Sequence, residues 1–92
     1  MEFEWDSKKA VYNLRKHRVS FEEASSVFKD VLAAVYEDPD HSVHEKRYLI
    51  IGISAQARLL NVSFADRGRR IRIISARKLT RREKKLYEDE NR

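Results

Sequence analysis

Between residues 31 and 76 the chain reads as four strand-like segments joined by short turns, and this pattern leaves few folds open. Residues 31–36 are apolar and are closed by Glu37-Asp38-Pro39-Asp40, and residues 47–54 carry Tyr48, Leu49, Ile50, Ile51 and Ile53. Over 58–66 a period of two places Leu60, Val62 and Phe64 on one face. Over 69–76 it places Ile71 and Ile73 on one face and Arg70 and Arg72 on the other, with Ile74 interrupting the alternation. Asp66-Arg67-Gly68 is a turn signal in which Gly68 supplies a positive φ. Connections this short join antiparallel neighbours, so a meander is expected.

Helical signals flank these strands. Phe3 and Trp5 alternate with Glu2, Glu4 and Asp6 in a short strand-like opening, and Asp6 is placed to cap a helix over 7–17. On that helix Ala10, Leu14 and His17 form a stripe with Val11 beside it, and Asn13 falls on the solvent side. Ser20-Phe21-Glu22-Glu23 reads as a capping box opening a short helix over 21–28. Thr80 and Glu83 repeat it before a last helix with Leu86 and Tyr87. The order β-α-α-β-β-β-β-α predicts one α+β domain over residues 1–92: an antiparallel sheet of about four main strands plus a short N-terminal one, two N-terminal helices and one C-terminal helix. Tyr48, Phe64 and Trp5 are expected in or at the edge of its core.

Composition narrows the function. The chain has no cysteine, which excludes a disulfide framework, a thiol nucleophile and a cysteine-ligated zinc. Its apolar runs are too short to cross a membrane, and the start lacks a signal-peptide profile, so a cytoplasmic protein without a membrane partner is expected. Gly52 and Gly68 are the only glycines, which argues against a phosphate-cradling nucleotide loop. The net charge of +5 is unevenly distributed: residues 1–56 carry a net of −2 and residues 57–92 a net of +7. Most of that excess is arginine, whose planar fork suits phosphate oxygens. A basic surface of this kind serves a nucleic acid, an acidic protein partner or plain solubility.

Two groups of residues carry candidate chemistry. In His41-Ser42-Val43-His44-Glu45-Lys46-Arg47 an extended backbone would turn His41, Glu45 and Arg47 to one side. An imidazole, a carboxylate and a guanidinium suit RNA cleavage through the RNA's own 2′-hydroxyl, which needs a proton acceptor, a proton donor and a cation for the phosphorane-like transition state. Glu45 and Arg47 are equally read as a surface ion pair. The His-x-x-His-Glu order does not match the helical zinc-protease arrangement, so no metal is expected. The second group, Arg58, Arg67, Arg70, Arg72 and Arg77, is distributed over the strands and is placed to bind RNA phosphates, with Tyr87 available to stack a base.

These residues resemble the BrnT family of small bacterial ribonuclease toxins. The match runs through Phe3-Glu4-Trp5-Asp6, Lys9-Ala10 and Asn13, then Lys16-His17 with Val19-Ser20-Phe21-Glu22-Glu23-Ala24, and Val27-Phe28. It continues through His41-Ser42, Glu45 and Arg47, Ile51-Gly52, Arg58-Leu59-Leu60 with Val62, Arg72-Ile73-Ile74-Ser75-Ala76-Arg77, Glu83 and Tyr87. The resemblance implies a RelE-like fold and a type II toxin that cuts RNA without a metal cofactor and blocks translation. It further implies a BrnA-like antitoxin that neutralises the toxin, with DNA reached only through the antitoxin complex. Carried over by position, it nominates His41, Glu45, Arg47, Arg58 and Arg77 for catalysis and Lys9, Arg67, Arg70, Arg72 and Tyr87 for RNA binding. Arg18 and Ala57 stand where the family usually or often has glycine. Both lie at turns, and a backbone avoiding positive φ is expected there. A catalytically inactive RNA- or partner-binding module of the same fold is the alternative reading, and a small α+β domain with some other role is a third.

Overall fold

The computed structural model describes residues 1–39 and 45–91. Its elements are β1 (Glu2–Glu4), α1 (Ser7–His17), α2 (Phe21–Ser26), a 3-10 turn (Val27–Lys29), β2 (Ala34–Glu37), β3 (Arg47–Ile53), β4 (Leu59–Asp66), β5 (Arg70–Lys78) and α3 (Arg81–Glu90). The expected order holds. The strands form one sheet in the order β1-β5-β4-β3-β2, in which β2 to β5 are an antiparallel meander and β1 adds parallel to β5. The sheet is therefore mixed, because the helices between β1 and β2 carry the chain across one face before the meander begins.

α1 and α2 pack against β5, and the 3-10 turn packs against β3. Val19, Phe21, Ala24 and Val27 from this layer meet Ile50, Leu60, Val62, Phe64, Ile71, Ile73 and Ala76 from the sheet. Phe28 joins Phe3 to Phe64, with ring centroids 5.1 and 4.9 Å away, and Trp5 sets its edge on Phe21 at 5.9 Å. Tyr48 stacks on Phe64 at 5.5 Å. The interruption at Ile74 has a structural cause. The β4–β5 register shifts at Ser63/Phe64, so Phe64 faces Ile73 while Ser63 faces Ser75. The extra residue switches the inward positions of β5 from odd to even numbers and brings Ala76 into the core.

Several expectations are corrected. Asn13 is buried rather than solvent-facing. It donates to the carbonyls of Val19 (3.0 Å) and Ala76 (2.8 Å) and accepts from the Ala76 amide (3.1 Å). β1 pairs only with residues 70–72, and Asn13 replaces the missing strand partner further along β5. Leu14 and Val11 are about half exposed as a result. The second strand begins at Ala34 because Asp30 turns the chain first, accepting from the Leu32 amide at 2.9 Å. Helix α2 tightens into the 3-10 turn at Val27. At its start Ser20 accepts from the Glu23 amide, but the Glu23 carboxylate turns inward instead of back to Ser20.

A further correction concerns the turns. Gly68 has φ +78, as the hairpin requires. Arg18 and Ala57 also adopt the left-handed region, at φ 60 and 61, without being glycine. Arg18 ends α1 there, with its amide donating to the Leu14 carbonyl at 3.0 Å. A side chain in this region costs about 1–2 kcal/mol, against about 0.4–1 kcal/mol for the greater unfolded-state freedom of glycine. Ala57→Gly is therefore expected to stabilise the protein by about 0.5–1 kcal/mol and raise the thermal midpoint by about 2–8 °C. Thermal unfolding followed by circular dichroism checks this.

Candidate functional site on the open sheet face

The face of the sheet away from α1 and α2 is shared between α3 and a polar surface. Because the register places residues in rows, Glu4, Arg72, Ala65 and Arg47 lie side by side across β1, β5, β4 and β3. Neighbouring strands are about 4.8 Å apart, so Arg47 and Arg72 stand about 10 Å from one another with Ala65 between them. Ala65 is fully buried on this outward face, which leaves a low floor flanked by two guanidinium groups.

Arg67, from the β4–β5 turn, reaches over the same surface. It donates to both carboxylate oxygens of Glu45, at 2.9 and 3.3 Å, and lies 3.7 Å from Glu4. Glu4 in turn accepts from Arg72 at 2.8 Å and lies 3.9 Å from Arg70, which pairs with Glu2 at 3.2 Å. Glu45, Arg67, Arg70 and Arg72 therefore form one connected ionic network, held by Glu2 and Glu4. The guanidinium of Arg47 makes no hydrogen bond or ion pair with another described residue. Each exposed pair contributes little stability, about 0–1 kcal/mol, so the network is open to exchange with another anion.

The other candidate residues lie elsewhere. Arg77 is on the same sheet face but beside Asn61, about 15 Å further along β5 than Arg72. Its guanidinium is doubly bonded to Glu83 of α3, at 2.7 and 2.9 Å. Arg58 turns toward the helix layer, where it pairs with the buried Glu23 through Nε at 2.8 Å and through Nη2, and donates to the Arg18 carbonyl at 2.9 Å. Lys9 is exposed on the first turn of α1, at the rim near Asp6. Tyr87 is half-buried on α3 and donates its hydroxyl to Asp30 at 3.0 Å. His41, like the neighbouring Ser42 and His44, lies outside the described residues.

Sequence reasoning missed the carboxylates that organise these arginines: Glu2, Glu4, Glu23 and Glu83. For Glu2 and Glu4 the signal was their alternation with Phe3, but the partner strand was not legible. Glu83 holds α3 in place. It closes a complete capping box with Thr80, and it accepts from Asn61 at 3.1 Å as well as from Arg77. The Arg77 guanidinium, and then the Thr80 amide and Asn61, hold its carboxyl down at about 2 against the opposing effect of burial. A depressed carboxylate stabilises the fold above its unfolded value near 4.5, and that stability is lost as the pH falls toward 2. Docking of α3 is therefore expected to weaken by up to about 3 kcal/mol over this window. Protection factors of the α3 amides, corrected for intrinsic exchange between pH 5 and 2, check this, and Glu83→Gln should remove most of their pH dependence.

No helix of the described residues is long and apolar enough to cross a membrane. The fold is similar to that of the Brucella abortus ribonuclease toxin BrnT, with a TM-score of 0.69 and 23% sequence identity over 88% of this chain and 99% of that one. No curated protein sequence matches significantly. The family model described as "Ribonuclease toxin, BrnT, of type II toxin-antitoxin system" matches residues 5–83, nearly the whole chain. The chain belongs to the BrnT family of ribonuclease toxins of type II toxin–antitoxin systems.

Proposed function

We propose that this chain is a metal-independent endoribonuclease whose reacting centre is the Glu45–Arg67 pair with Arg47 and Arg72 on the open sheet face. The observation that carries this reading is the bidentate contact between Glu45 and Arg67, joined through Glu4 to Arg72, in the same row of the sheet as Arg47. A carboxylate capable of taking a proton thus lies among guanidinium groups suited to a phosphate. In the reaction the RNA 2′-oxygen attacks the adjacent phosphorus as Glu45 takes its proton. The bond to the 5′-oxygen breaks, and that oxygen is protonated by an acid, for which His41 is the candidate. Arg47, Arg67 and Arg72 balance the charge that develops on the phosphoryl oxygens. Arg58 and Arg77 are outside this centre, each held by its own carboxylate.

As a toxin of this kind the chain would slow growth by blocking translation in the cytoplasm. A BrnA-like antitoxin would neutralise it, and DNA would be engaged only through that antitoxin. The test is incubation of purified protein with single-stranded RNA in excess EDTA. Cleavage leaving 2′,3′-cyclic phosphate and 5′-hydroxyl ends is expected. RNA that is bound but stays intact through long incubation at high protein concentration would instead identify a catalytically inactive binding module.

A further inference from the structure

The end of the sheet opposite Glu45 carries a second cationic feature. Ala57, Arg58, Leu59, Lys78 and Lys84 line an open cleft of about 320 Å³ between the helix layer and α3. Its cations come from three places: the residue before β4, the end of β5, and α3. Lys78 and Lys84 form no ion pair with another described residue. Glu23 offsets one of the three charges but is already bonded to Arg58 and Ser54. Arg58 is fixed in advance by Glu23 and the Arg18 carbonyl, leaving its Nη1 without a hydrogen-bond partner among the described residues. Three cations held around one cleft repel each other, and an entering anion relieves that repulsion. Ala57 and Leu59 supply a small apolar wall for the part of the ligand between its charges.

We infer that this cleft binds a backbone phosphate of single-stranded RNA at a distance from the cleaved bond, with Lys78 and Lys84 as its principal ligands. The inference rests on RNA being the substrate. From Arg58 to Ala65 the chain advances seven positions along β4, or about 23 Å, so a strand lying along the sheet would meet the two cationic regions in succession. The cleft then sets how the RNA lies across Glu45 without taking part in the chemistry.

The test measures binding of a fluorescent 2′-O-methyl RNA oligonucleotide by anisotropy over 50–200 mM salt. This probe has no free 2′-hydroxyl, so the cleft is read whether or not the protein cleaves RNA. Each phosphate contact on a single strand contributes about 0.7 to the logarithmic salt slope. Lys78→Gln with Lys84→Gln is expected to flatten the slope by about 1.4 and to weaken binding roughly tenfold at 200 mM. The control is Lys8→Gln with Lys29→Gln, two exposed lysines of the helix layer, for which a much smaller change is expected. An unchanged slope for the cleft variant, an equal loss in the control, or no oligonucleotide binding by the unaltered protein would each overturn the inference. Failure of RNA cleavage in EDTA would instead remove the proposed reaction and leave this measurement standing.

Discussion

Replacing Glu45 with glutamine is expected to lower the rate of RNA cleavage by about 10²- to 10⁴-fold, the usual contribution of a positioned proton acceptor. Glutamine keeps the shape of the side chain and one oxygen for Arg67, but it cannot take the proton of a 2′-hydroxyl at neutral pH. Affinity for a 2′-O-methyl RNA should change by no more than a few-fold, because the guanidinium groups stay in place and one competing carboxylate charge is gone. Single-turnover cleavage with excess protein separates the two effects. A rate within threefold of the unaltered protein would show that Glu45 is not the base. Glu4→Gln is the informative comparison, since Glu4 lies in the same network, 2.8 Å from Arg72. A larger loss there would move the base from the segment before β3 to β1.

The difference between Glu45 and Glu4 also shows what could be read without coordinates. Periodicity located β4 and β5 because one face of each is buried, and a slip of one residue would expose Leu60, Val62 and Phe64 together. Caps were legible where a short polar side chain precedes a helix, as Asp6 and Thr80 do. Pairing between distant strands was not. Nothing local to Glu2 or Glu4 indicates that β1 lies parallel to β5, yet that contact brings both glutamates to Arg70 and Arg72. The arginines were legible as a group from charge alone, but their division was not. On the open face Arg67 meets Glu45 and Arg70 and Arg72 meet Glu2 and Glu4, Arg77 belongs to the contact with α3, and Arg58 belongs to the helix layer. Asn13 was misplaced for a related reason: helical periodicity assigns a polar residue to solvent, whereas here the unpaired edge of β5 offers it backbone partners.

The buried position of Glu23 makes the loss of Arg58 costly to the fold. The Glu23 side chain is 1% exposed, and its partners are the Arg58 guanidinium and the Ser54 hydroxyl, which donates to it at 2.7 Å. That pairing, with Arg58 the larger influence, holds the Glu23 carboxyl below its usual range despite burial. Arg58→Ala removes the positive charge and leaves a carboxylate facing the interior, at an expected cost of about 3–5 kcal/mol. Domains of this kind have only about 5–15 kcal/mol in total, so much of the variant would be unfolded at moderate temperature. Urea denaturation gives the loss directly. Glu23→Gln in the same chain should recover part of it, because an amide is far cheaper to bury than an unpaired carboxylate, and the non-additivity should lie in the range of about 0.5–3 kcal/mol. If Arg58→Ala instead unfolds at the same urea concentration as the unaltered protein, the Glu23 bridge is not holding α2 to the β3–β4 turn. Arg58 would then be free to act wholly as a phosphate ligand. Any loss of RNA cleavage in an Arg58 variant therefore has to be read against the fraction of protein still folded.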